Sequence, residues 1–269
     1  MSTVVFTDTA LPNVIELRGV NQSYGTTKVI EGLSVLIEQK PNIGQFVAVL
    51  GPSGCGKSTL LRYIAGLQKP TSGEVLLYNK PRSDQDRIGM VFQKYSSLPW
   101  LTVLENIELG LTFKGVDLHE RRKQAIEMLR LVELDGHGDK YAQYPTLSGG
   151  QLQRVAIARS LLANPKILLM YEPFGALDIK TRYKMQDSIL RIWTELSKKD
   201  TSTTVIFVTH DISEAVYLAD EIWVMSSAPA HIEHRIRVPF ENRTTELKRS
   251  PEFQKQVSEI EQIMMTGMH

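Results

Sequence analysis

Short apolar runs alternate along this chain with longer stretches in which apolar residues recur every three or four positions. Residues 14–20 (VIELRGV), 34–37 (SVLI) and 45–50 (QFVAVL) read as strands, with polar turns expected at 21–28 and 39–44. Residues 59–67 (TLLRYIAGL) read as helix, and two more strands follow at 74–78 and 88–92. From residue 102 to about 163 the pattern is mostly helical. Its strongest segment, 118–132 (LHERRKQAIEMLRLV), is amphipathic, and its charged stripe is expected to face solvent. Strands return at 167–171 (ILLMY) and 204–209 (TVIFVT), separated by a helix at 180–199. Strands at 222–226 and 232–238 follow, then a short helix from about Pro251. Strands alternating with helices predict an α/β fold with a mostly parallel sheet and a helical insertion between its two halves.

Composition narrows this picture. A chain of 269 residues, 42% hydrophobic and 23% charged, suits one large α/β unit with a lobe, or two small domains. A core of that size needs neither disulfides nor a structural metal. A net charge of +1 and a pI near 7.8 argue against a broad nucleic-acid face. The only cysteine, Cys55, rules out an internal disulfide and suits a reducing cytoplasm. The opening residues lack the basic start and long apolar stretch of a signal peptide. Apolar runs such as ILLM and VIFV are strand-length, so the chain is expected to be soluble and to reach a membrane only through a partner.

Two segments carry chemistry. Gly51, Pro52, Ser53, Gly54, Cys55, Gly56, Lys57, Ser58 and Thr59 (GPSGCGKST) fit G-x-x-x-x-G-K-[ST], the phosphate-binding loop of NTPases. Glycines let the backbone curl so that successive N–H groups point at phosphate oxygens, and the following helix adds its positive dipole end. Lys57 can reach the β- and γ-phosphates, and the Ser58 hydroxyl can ligate Mg²⁺. Cys55, beside Lys57 and near a helix N-terminus, is expected either to favour the thiolate or to be an inert small residue of the loop. The second segment is LSGGQ at 147–151, which leads into a helix at 151–162. Ser148 is an N-cap type, and Gly149 and Gly150 expose backbone N–H groups, a second candidate anion site far from the first in sequence.

With these motifs the chain resembles the nucleotide-binding subunit of an ABC transporter, from about Val14 to Val238. The ordered set is GPSGCGKST, VFQ ending at Gln93, LSGGQ, ILLMYEPFGALD at 167–178, and VTHD containing His210. The resemblance implies a P-loop NTPase (RecA-like) core with a mixed sheet. It implies an ABC-type domain over 14–240, with its core at about 14–94 and 164–240 and a helical subdomain at about 95–163; a C-terminal helical tail occupies 241–269. It implies ATP and Mg²⁺ as cofactors. Each ATP would lie between the phosphate loop of one subunit and the LSGGQ of a second. One copy of each motif means that the second cassette comes from another chain, identical or paralogous.

Residue roles carry over by position. Tyr24 would stack on adenine. Gln93 would touch Mg²⁺ and relay contact to the membrane partner. Glu172 would orient or activate the attacking water, and His210 would contact the γ-phosphate. Ser148, Gly149, Gly150 and Gln151 would meet the nucleotide of the other subunit, and Asp178 would line the dimer seam. Without the resemblance these residues have plain alternatives: a turn tyrosine, strand-end polar residues, a structural histidine and, for Asp178, a helix cap before Ile179.

One position departs from the family, which has Asp where Tyr171 stands. That Asp helps to hold the Mg²⁺ shell, and a neutral, larger phenol cannot replace it. The departure leaves three readings: a weakened ATPase, a cassette that binds but hardly hydrolyses and serves a regulatory or structural role, or an error of one base in the sequence.

The segment 96–107 (SSLPWLTVLENI) resembles the partner-contacting stretch of bacterial importers. Its Leu-Pro-Trp form, the segment 225–232 (MSSAPAHI) and SPEF at 250–253 look most like the nitrate/sulfonate/taurine branch, although that branch often has Arg-Pro-Gly-Arg-Ile where this chain has Ala-Pro-Ala-His-Ile. The implied role is the energy-coupling subunit of an importer for a small anionic solute. It would sit peripherally on the cytoplasmic face of the inner membrane, with transmembrane permease subunits and, indirectly, a solute-binding protein. Nucleic-acid partners are not expected. DNA-repair and chromosome ATPases share both motifs but carry long coiled coils, and ribosome-associated cassette proteins carry two cassettes in one chain.

Overall fold

The computed structural model describes residues 11–40, 43–84, 86–94, 96–197 and 203–266. In chain order the elements are β1 (Asn13–Tyr24), β2 (Thr27–Glu38), β3 (Phe46–Leu50), α1 (Lys57–Ala65), β4 (Ser72–Leu77), β5 (Lys80–Pro81) and β6 (Gly89–Val91). There follow α2 (Val103–Phe113), α3 (Leu118–Leu131), α4 (Gly149–Leu162), β7 (Ile167–Tyr171), α5 (Ile179–Ser197) and β8 (Thr204–Val208). The chain ends with α6 (Ile212–Leu218), β9 (Glu221–Met225), β10 (Ile232–Arg237), a 3₁₀ turn at Thr245–Arg249, and α7 (Pro251–Thr266). Internal contacts divide it into two units, Met1–Arg87 with Val208–His269, and Ile88–Phe207.

The first unit contains an antiparallel sheet in the order β2-β1-β4-β5. Here the structure departs from the turn expected at 21–28. Strands β1 and β2 run on until Tyr24 pairs with Thr27, so that only Gly25 and Thr26 form the turn. The polar residues that suggest a turn are accommodated by neighbours: buried Gln22 accepts from the Tyr63 hydroxyl at 2.5 Å, and Asn21 donates to Ser72 Oγ at 3.0 Å. The same unit pairs β3 in parallel with β9, from Val47–Glu221 to Leu50–Val224, and β9 antiparallel with β10. All five residues of β3 are buried, as expected for a strand covered on both faces.

The second unit holds β6 and β7 in parallel, from Gly89–Leu168 to Val91–Met170, with β8 beside β7. Antiparallel pairing is therefore more extensive than the expected mostly parallel sheet. Helix α3 buries Ala125, Met128 and Leu129, and Val132 at its end continues the i, i+3, i+4, i+7 stripe. Its charged face is not wholly solvated: Arg121 and Arg122 lie 3.8 and 3.5 Å from the buried carboxylate of Glu108 on α2. Lys198 and Lys199 of the helix expected at 180–199 lie outside the described residues, as do Pro41 and Asn42.

The C-terminal segment belongs to the first unit. Arg243 donates to the carbonyls of Leu218 and Ala219 at 2.8 and 3.0 Å and to Asp220 Oδ1 at 2.5 Å. Phe253 is fully buried against Phe240, with ring centroids 6.0 Å apart. Burial of such a ring contributes about 1.5–3 kcal/mol. Among the described residues no helix is long and apolar enough to cross a membrane.

Candidate functional site

The phosphate-loop segment follows β3 and opens α1. Gly56 precedes the helix at φ +100°, a conformation that a side chain would strain. A Cβ at Gly51 would stand 2.9 Å from the Met225 carbonyl oxygen, so the loop can approach the end of β9 only without a side chain there. Lys57 is buried, and its ammonium donates to the carbonyls of Gly51 and Pro52 at 2.8 and 2.7 Å. The loop thus curls around its own lysine, which concentrates positive charge at the N-terminus of α1. Pro52 and Ser58 are half-buried, Thr59 is buried, and Ser53 and Gly54 are exposed.

Cys55 corrects an expectation. It is buried, and that burial pushes its thiol pKa up, with the charge of Lys57 only partly opposing the shift. The inert small residue fits; the reactive thiolate does not.

The same unit carries Tyr24 and His210. Half of the Tyr24 surface is exposed at the tip of the β1–β2 hairpin, and its hydroxyl accepts from Gln68 at 2.8 Å, so the ring is held with a face to solvent. His210 is exposed between two fixed neighbours. The Thr209 backbone N–H donates to the Val49 carbonyl, and its hydroxyl donates to the buried carboxylate of Glu214 at 2.7 Å. The Thr209 hydroxyl also accepts from the Asp211 backbone at 3.0 Å, and Asp211 caps α6 by accepting from Glu214 N–H at 3.0 Å.

In the second unit the structure brings Gln93 and Glu172 together: Gln93 Nε2 donates to Glu172 Oε2 at 2.8 Å. The amide carbonyl of Gln93 is then the atom left for a cation. That carbonyl is a hard oxygen of the kind that suits Mg²⁺, and in the other unit the Ser58 hydroxyl is a donor of the same class. Glu172 follows β7 with φ +45°, a left-handed backbone uncommon for a residue with a side chain and the kind of strain that collects at functional positions. Tyr171, the last residue of β7, is half-buried.

Gln153 was not singled out by sequence reasoning, yet it links these two strand ends. It is fully buried on α4, and its Nε2 donates to both the Phe92 and Pro173 carbonyls at 3.1 Å, the residues flanking Gln93 and Glu172. The only signal was its place two residues after LSGGQ.

Helix α4 starts two residues earlier than the pattern suggested, at Gly149. Ser148 and Gln151 form a capping box: Gln151 N–H donates to Ser148 Oγ at 3.2 Å, and Ser148 N–H donates to Gln151 Oε1 at 2.8 Å. A Cβ at Gly150 would lie 3.2 Å from Leu177, next to Asp178. Asp178 is exposed and accepts from Thr181 N–H at 3.1 Å; these bonds to Thr181 hold its carboxyl pKa below the usual range. The helix-cap role is thus filled, with the carboxylate still facing solvent.

A third feature is the loop before α2. Fully buried Asn106 accepts from Leu98 N–H at 2.8 Å and donates to the carbonyls of Leu98 and Thr102 at 3.0 Å. Arg159, whose guanidinium pKa burial pulls down, adds bonds to Ser96 at 2.8 and 2.9 Å. This frame presents Trp100 with 68% of its surface exposed.

Comparison with known proteins places these features in context. The family described as ABC transporter matches residues 37–175. A nitrate import ATP-binding protein of Synechocystis is 40% identical, covering 93% of this chain and 94% of the relative. A taurine import ATP-binding protein of Rhizobium johnstonii is 44% identical over 81% of this chain and 84% of its own. A solved dimer of the ATP-binding cassette MJ0796 in a post-hydrolysis state, bound to ADP and Pi, is 36% identical with a TM-score of 0.69, covering 84% of this chain and 99% of that one.

Proposed function

This chain belongs to the ABC transporter family of ATP-binding proteins, and from that premise we propose that it is the ATP-hydrolysing, energy-coupling subunit of an importer for a small anionic solute such as nitrate, taurine or a sulfonate. The observation that carries the reading is that two helices of one chain open on glycine-rich N-termini suited to phosphate: α1 with Lys57, and α4 with its capped Ser148. Backbone N–H groups of 51–59 and the Lys57 charge hold the phosphates, and Tyr24 offers its ring to adenine. Ser58 and Gln93 would hold Mg²⁺, which supplies charge neutralisation when bound. Glu172 takes the proton of, or orients, the attacking water, and His210 donates to the γ-phosphate. Ser148, Gly149, Gly150 and Gln151 meet the nucleotide on a second cassette, identical or paralogous, and Asp178 lies along the seam. Closure around ATP drives the membrane subunits, and hydrolysis releases it.

The frame around Trp100 supports docking of a permease at the loop 96–102, with the chain peripheral on the cytoplasmic face of the membrane and the solute-binding protein reached only through the permease. A second reading, a cassette with impaired hydrolysis, is favoured by Tyr171 alone. Losing a carboxylate that orients a metal's ligands costs about 10–100-fold in affinity or activity. The test is ATP-dependent uptake of nitrate, taurine and an alkanesulfonate by vesicles carrying the assembled complex. Uptake of one solute that Lys57→Ala abolishes supports the reading; ATP hydrolysis without uptake of any small anion contradicts it.

A further inference from the structure

We propose that His137 is a positioning residue for the start of α4, setting the side chains of the LSGGQ segment without touching nucleotide. It lies in the loop between α3 and α4, and its Nε2 is 3.0 Å from Gln151 Nε2. The hydrogen-bond chain has only one self-consistent direction. The backbone N–H of Ser148 can only donate, so Gln151 must turn its carbonyl oxygen toward it, at 2.8 Å. Gln151 then presents its NH₂ to His137, and an amide NH₂ has only hydrogens to offer. His137 Nε2 must carry a lone pair. Its proton is on Nδ1, 3.0 Å from the Asp135 carbonyl, which can only accept. The neutral imidazole with Nδ1–H satisfies all three contacts at once.

The loop that carries the imidazole is fixed. Arg154 of α4 donates to the carbonyls of Val132 and Glu133 at 2.9 and 2.8 Å. His137 N–H donates to Leu134 O at 3.0 Å, and the N–H of Leu104 on α2 donates to Gly138 O at 3.0 Å. A side chain at 137 that can only donate would force the Gln151 amide to turn. That would set its NH₂ against the Ser148 N–H and open the capping box. His137 thereby decides whether Ser148 and the N–H groups behind it keep the geometry of an anion site.

The inference rests on the reading that Ser148 meets nucleotide bound by a second cassette. Its test uses the full chain carrying Glu172→Gln, so that bound ATP persists. ATP-driven dimerisation is followed by sedimentation velocity, and nucleotide affinity by a fluorescent ATP analogue. His137→Ala should weaken dimerisation about fivefold, the scale of a lost cap. His137→Lys, a donor only, should weaken it more, and His137→Gln, whose carbonyl can stand in for the Nε2 lone pair, should restore it. Nucleotide affinity should hold in all three, a split that general misfolding would not produce. If His137→Ala dimerises like its parent while Ser148→Arg does not, the inference is wrong. If Ser148→Arg also dimerises normally, the underlying reading fails and the inference with it. Independently, ¹⁵N shifts of the imidazole should report Nδ1–H; an Nε2–H tautomer overturns the proposal.

Discussion

Gln93 and Glu172, 79 residues apart in sequence, share a hydrogen bond of 2.8 Å, and Glu172 holds its side of it with a φ of +45°. Such a backbone costs on the order of 1–3 kcal/mol unless glycine relieves it. Glu172→Gly should therefore raise stability by up to about 1 kcal/mol while losing turnover. Glu172→Gln, which keeps the shape, should keep ATP affinity and lose turnover. Denaturant midpoints and phosphate release measure the two effects. A glycine variant that is both less stable and equally active would contradict a strained catalytic carboxylate.

Gln153 ties the residues beside Gln93 and Glu172 through one buried amide. Gln153→Leu leaves two carbonyls unpaired, a cost of about 1–3 kcal/mol each. Turnover should fall about tenfold with ATP affinity little changed, because the loss falls on the geometry of the reaction. Equal turnover would show that the strand ends hold their places unaided.

Tyr171→Asp should raise phosphate release about 10-fold or more and shift its Mg²⁺ dependence to lower concentration. The variant restores charge at the end of β7 and removes a bulky ring that is half-buried there. Steady-state assays at varied Mg²⁺, on complexes with their membrane subunits, separate this from an innocuous tyrosine. Equal turnover and equal Mg²⁺ dependence would mean that the phenol has no functional consequence.

Cys55 should resist maleimide in the native protein near neutral pH and react readily once urea unfolds it. The raised thiol pKa keeps it protonated, and burial shields it. Saturating ATP should change little. Fast native labelling that ATP suppresses would point to an exposed thiolate instead.

Much of this was legible in the chain because the signals were local. The continuous apolar runs of β3 and β7 announced buried strands, with bounds within one residue of those observed. The glycine turn that leads from β3 into α1 and the capped start of α4 follow from residue types at fixed spacing. What escaped depends on distant partners. The β1–β2 hairpin absorbs polar residues because Tyr63 and Ser72 satisfy them. Helix α6 has only seven residues, too few for a periodic pattern, and relies on Asp211 for its cap. The exposure of Cys55 could not be read from a loop that wraps its lysine. Gln153, Asn106 and His137 look like ordinary polar residues until their partners are known.

Mg·ATP titrated calorimetrically into the full chain and into Lys57→Ala tests the central claim most directly. The Lys57 ammonium sits on the carbonyls of Gly51 and Pro52 at the start of α1, the position from which the proposed function has its charge meet phosphate. Saturable binding by the wild type should weaken by about 10–100-fold or more in the variant, the worth of a charge-assisted contact. Circular dichroism of both chains confirms that the variant remains folded. Equal affinity in the two would mean that this loop is not where the protein binds its nucleotide.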